Sequence, residues 1–96
     1  MKAKLLYWHK GKVGDRYIIE ANIFEIDSTE EYPSGIRYRL IVVDPDTQQQ
    51  VLMDNHHPKG PHIHLDMEEI PYRFSTVDQL MVDFESYVLQ HLGVKI

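Results

Sequence analysis

Residues 36–43, Ile-Arg-Tyr-Arg-Leu-Ile-Val-Val, decide the fold. Ile36, Tyr38, Leu40 and Val42 recur with period 2, so they line one face of an extended strand. Arg37 and Arg39 fall on the opposite face with Ile41 and Val43. Downstream, Asp44-Pro45-Asp46-Thr47 is a turn, because proline presets φ and the aspartates bond to nearby backbone. Residues 48–53 (QQQVLM) then return as the partner strand. Upstream, residues 17–26 (YIIEANIFEI) are β-branched and aromatic and predict a strand. Ile19, Ala21 and Ile23 share one face, and Ile18, Phe24 and Ile26 the other. This imperfect alternation predicts a bulge or coverage of both faces. The polar STEEYPSG stretch between these strands is a loop.

Residues 3–9 (AKLLYWH) also read as a strand, with Leu5 and Tyr7 facing one way and Leu6 and Trp8 the other. The strand is expected to belong to the core, with solvated lysines protecting its edge. KGKVGDR follows, and its two glycines mark a hairpin or short loop. His62 to Leu65 is a short strand, after which MEEIPYRF leads into a helix. Ser75 or Thr76 caps that helix, with Asp78 completing a capping box to Ser75. Val77, Leu80, Met81, Phe84, Val88 and Leu92 form its apolar stripe, and Gly93 is the stop. The expectation is α+β: an antiparallel sheet of four or five strands with one C-terminal helix packed across a face. Residues 1–96 form one domain, since a chain this short builds one modest core.

The hydrophobic fraction of 43% and charged fraction of 26% are those of a soluble globular protein. There is no cysteine, which excludes disulfides, thiolate metal sites and a cysteine nucleophile. The N-terminal segment lacks the pattern of a signal peptide, and no run reaches the roughly 18 apolar residues of a membrane span. A cytoplasmic protein is expected. The net charge of −5 is unevenly spread. Residues 1–16 carry Lys2, Lys4, Lys10, Lys12 and Arg16 against Asp15 alone. The remainder has five Lys/Arg and fourteen Asp/Glu. An acidic protein repels nucleic acid at long range, so RNA contact requires the local basic stripe with Arg37, Arg39 and Lys59.

Chemistry concentrates in Asp54–Asp66, DNHHPKGPHIHLD, which holds four of the six histidines. Pro58, Gly60 and Pro61 restrict its backbone. In an extended segment, His62 and His64 project from one face, roughly 6–7 Å apart at their backbones. That spacing suits two ligands on one metal ion, with His57 and Asp54 as further candidates. It equally suits an acid and a base flanking a phosphate, as in metal-independent RNA cleavage, which needs no cofactor. Histidine's ordinary pKa of roughly 6.5 lies near working pH. Lys59 lies in the same loop, and Arg37 and Arg39 offer planar forks that match phosphate. Tyr38 or Tyr72 is a candidate for stacking on a base. The plainer alternative is a loop of solvated or locally hydrogen-bonded histidines that meets a protein partner, or nothing, without catalysis. On the catalytic reading, His62, His64, Lys59 and Asp54 do the chemistry, with Asp54 and Asn55 holding the loop or orienting an imidazole. Arg37, Arg39, Asn55, His57 and Tyr72 then contact substrate.

The succession of Asp54-Asn55, Lys59-Gly60, His62-x-His64 and Pro71-Tyr72-x-Phe74 before the helix resembles the TumE-like toxin family. Arg37-Tyr38-Arg39 also matches, and the resemblance covers about residues 36–90. Pro58 stands where the family pattern has the first glycine of G-K-G. Ile63, between the histidines, suggests a buried residue with imidazoles facing out. The resemblance implies a toxin of a type II toxin–antitoxin pair, neutralised by a small helix-turn-helix antitoxin and acting on RNA or translation. The oligomeric state is left open, with a homodimer among the alternatives.

Overall fold

The computed structural model describes residues 3–96; Lys2 of the basic stripe lies outside them. Six strands precede one helix: β1 (Lys4–Val13), β2 (Tyr17–Glu25), β3 (Ile36–Val43), β4 (Gln50–Asp54), β5 (His62–Leu65), β6 (Glu68–Pro71) and α1 (Val77–Leu92). They form one antiparallel meander in which every strand pairs with its neighbours in sequence. The α+β expectation therefore holds, with a sixth strand. β6 was hidden in MEEIPYRF. Asp66 adopts φ 59° and joins β5 to β6 through a tight turn, so Glu68–Pro71 folds back antiparallel on His62–Leu65.

The period-2 pattern of β3 places Tyr38, Leu40 and Val42 fully inside. They meet Ile19, Ala21 and Ile23 of β2, Val51 and Met53 of β4, and Ile63 of β5. Leu80, Phe84 and Val88 of α1 close over this face, nearest β4. Full burial of each large apolar side chain contributes roughly 1.5–3 kcal/mol. Thr76, not Ser75, caps the helix: its hydroxyl accepts the Gln79 N–H at 3.1 Å. At the other end, Gly93 is left-handed (φ 72°) and donates its N–H to Leu89 O, the αL termination that glycine makes cheap.

Two expectations for the N-terminal half are corrected. β2 is regular, and the bulge lies in β1 between Leu5 and Tyr7. Leu5 therefore pairs with Phe24 on the open face and Tyr7 with Ile23 on the inner face, opposite to each other. β1 also runs through Gly11 to Val13, and it is an exposed edge strand rather than part of the core. Trp8 pairs with Asn22 on the face away from α1 and is 60% exposed.

Candidate functional site

The face of the sheet away from α1 is open. Register assigns its side chains to rows, because paired residues in antiparallel strands share a face. One row runs Trp8, Asn22, Arg39, Asp54, His62 and Pro71; the next runs Lys10, Glu20, Ile41, Leu52, His64 and Glu69. The i, i+2 spacing of the histidines thus brings both to one end of this face, beside carboxylates from β4 and β6.

Their geometry is close. The two imidazole rings meet edge to face with centroids 4.7 Å apart. His62 Nε2 lies 3.3 Å from Asp54 Oδ1 and 3.7 Å from Glu69 Oε1. His64 Nε2 lies 3.7 Å from the same Glu69 oxygen. Lys59 Nζ donates to that oxygen at 2.9 Å, and this bond, above all, holds the Glu69 carboxyl below its ordinary pKa. On its other side, His62 Nδ1 is 2.7 Å from Gly60 O. A carbonyl only accepts, so Nδ1 carries the proton and Nε2 is the atom turned toward the carboxylates. A cavity of about 280 Å³ lined by Lys59, Pro61, His62, Glu69 and Pro71 opens beside this group.

One correction concerns exposure. The histidines share a face, as expected, and Ile63 between them is fully buried. His64 is partly exposed, but His62 is buried at 7% exposure because Asp54, Glu69 and the 55–61 loop surround it with polar groups. The remaining candidates divide. Arg39 sits directly across from Asp54, and Arg37 is exposed two residues away on the same face. His57 is exposed in the loop, where its N–H donates to the Tyr32 hydroxyl; it does not reach the other histidines' carboxylates. Asn55 is buried and clamps β3, accepting from Tyr38 N at 3.0 Å and donating to Ile36 O at 2.7 Å. Tyr72 donates to Asp83 of α1, and its hydroxyl pKa is pushed up chiefly by burial. Its ring lines a separate cavity of about 350 Å³ with Tyr32, Phe74 and Asn55.

Sequence reasoning missed Glu69, whose position depended on an unrecognised hairpin. The available signal was two four-residue runs separated by Asp66-Met67, which makes His64 and Glu69 direct cross-strand neighbours. It also set His56 aside. That imidazole is partly buried, which is the main reason its pKa falls; Arg37, Arg39 and His62 push it the same way, while Asp54 opposes them.

No helix among the described residues is long and apolar enough to cross a membrane. No curated protein and no solved structure matches the chain significantly. The model of a family described as "Toxin TumE", however, matches residues 9–92. That match runs from the second half of β1 through Asp54, the paired histidines and Glu69 to the end of α1, and the chain belongs to the TumE toxin family.

Proposed function

We propose that this toxin acts in the cytoplasm as a metal-independent endoribonuclease, with His62 and His64 as its acid–base pair. The observation that carries the reading is the placement of two imidazoles 4.7 Å apart beside a cavity, with Lys59 at its rim. One imidazole takes the proton from a ribose 2′-hydroxyl as that oxygen attacks phosphorus. The P–O5′ bond breaks and the other imidazole protonates the leaving oxygen, leaving a 2′,3′-cyclic phosphate. The imidazoles take these roles in either order. Lys59 and Arg39 stabilise the charge that builds on the non-bridging oxygens. Asp54 orients His62. Arg39 and Trp8 lie in the row of His62, so an RNA strand leaving the histidines crosses a guanidinium and then an exposed indole on which a base can stack. A helix-turn-helix antitoxin is the partner that the family resemblance supports.

The test is induced expression of the chain, His64→Ala and the His62→Ala/His64→Ala double variant, read by growth and total RNA integrity. Purified proteins are compared for RNA cleavage in chelator, with circular dichroism to establish folding. Loss of one proton-transfer group lowers cleavage by about 10²–10⁴-fold. A folded double variant that stays toxic and still cleaves RNA overturns the assignment.

A further inference from the structure

We propose that His62, His64 and Glu69 also form a binding site for a divalent transition-metal ion of the zinc class, which switches the acid–base pair off. The switch rests on the reading above; the ion site does not.

Three observations converge. First, one oxygen, Glu69 Oε1, lies 3.7 Å from both His62 Nε2 and His64 Nε2, and the three donor atoms all lie within 4.8 Å of one another. Zinc–nitrogen and zinc–oxygen bonds of about 2.0–2.2 Å in a tetrahedron separate neighbouring donors by about 3.3–3.5 Å. Small side-chain rotations bring these donors to that spacing. Asp54 Oδ1, at 3.3 Å from His62 Nε2, is placed to take a fourth position or to orient the ring.

Second, His62 has the outer support a metal-binding imidazole needs. Its Nδ1–H donates to Gly60 O at 2.7 Å, which fixes the ring and presents the Nε2 lone pair toward the site. His62 Nε2 faces two carboxylates, and a cation placed between them is attracted to both. The ring is buried, so water does not screen that interaction well.

Third, Glu69 Oε1 already holds a cation, the ammonium of Lys59, at 2.9 Å. Lys59 is 61% exposed on a loop and is free to swing away. Lysine and metal therefore compete for one oxygen. The bound ion takes the nitrogen lone pairs that proton transfer requires. Mixed imidazole and carboxylate donors suit zinc and its neighbours rather than magnesium or calcium.

The untagged full chain is titrated with CoCl2, read by the visible absorption of tetrahedral cobalt, and then with ZnCl2 as displacing ion. Stoichiometry comes from equilibrium dialysis with elemental analysis. One equivalent binds. Glu69→Gln and His64→Gln each weaken it by at least about tenfold, the lower end of what even an outer-shell change costs a metal site. Lys59→Met tightens it, the opposite of what general loss of structure would give. His57→Gln and His9→Gln leave it unchanged. Absence of a bound equivalent, or binding that follows His57 or His9 instead, overturns the site. A second arm measures RNA cleavage with and without zinc. Cleavage that depends on His64 while no metal binds removes this inference and leaves the ribonuclease reading intact. Metal binding as described in a protein that cleaves no RNA removes the ribonuclease reading and the switch but leaves the site. Zinc that stimulates cleavage overturns the switch and the metal-independent mechanism together.

Discussion

Asn55 and Tyr38 show how differently two adjacent buried polar groups bear on stability. The Asn55 amide satisfies Tyr38 N and Ile36 O, bridging the loop to the start of β3. Alanine there leaves a buried N–H and a C=O without partners. A buried unsatisfied group costs about 1–3 kcal/mol, so Asn55→Ala is expected to destabilise by about 2–3 kcal/mol. For a chain of this size that lowers Tm by roughly 10–20 °C. The Tyr38 hydroxyl, in contrast, is buried with no hydrogen-bond partner among the described residues, and burial pushes its pKa up. Tyr38→Phe keeps the stacking on Phe74, whose ring centre is 5.6 Å away, and is expected to leave Tm unchanged or raise it. Thermal melts of both variants check the contrast. A Tyr38→Phe variant melting well below the parent would show that the hydroxyl has a partner after all.

At the scale of elements, the helix and its stop are legible in the sequence, its cap only to within one residue, and the last strand is not. A stripe at helical spacing, a threonine at the start and a glycine at the end are local signals, and all three are used. Removing the cap tests how far the helix depends on them. Thr76→Ala is expected to cost about 1 kcal/mol, measured by urea denaturation, whereas Ser75→Ala should be near neutral. Equal losses at both positions would place the cap wrongly. β6 has no such local signature: Glu68, Glu69, Ile70 and Pro71 show little alternation and end in proline. It exists because β5 supplies an unpaired edge and Asp66 reverses the chain. Asp66 also accepts from Gln50 N and bonds His91 near the end of α1. The hairpin that positions Glu69 is therefore tied to β4 and to the helix, contacts separated by 16 and 25 residues.

Across the whole molecule, one ion pair joins two turns of the meander. Arg16, in the turn between β1 and β2, donates to Asp44 in the turn after β3. That bond, helped by the Asp46 N–H, holds the buried Asp44 carboxyl down at about 2, against the opposing effect of burial. Its ordinary value is about 4. The folded-state value is depressed, so the stabilisation is complete above pH about 4 and is lost as pH falls from about 4 through about 2. Asp44→Asn is therefore expected to melt below the parent at pH 7, with the two curves converging between pH 4 and 2. Melting temperatures across that range check it. A gap that stays constant down to pH 2 would mean that the charge on Asp44 is not what stabilises the pair.

The sequence by itself determined the strand faces of β2, β3 and β5, the helix with its terminus, and the clustering of histidines in one segment. Each of those follows from spacing within a single segment, where geometry repeats every two or 3.6 residues. Only the tertiary structure decided that β1 is an exposed edge, that His62 is buried while His64 is partly open, and that Asn55 supports the fold. It alone set Glu69 against both imidazoles and turned His57 away. Those outcomes depend on which strand lies next to which and on how far one helix reaches across the sheet. Pairing between segments leaves no periodic trace in either, so the carboxylate at the centre of the site appears only once the chain is folded.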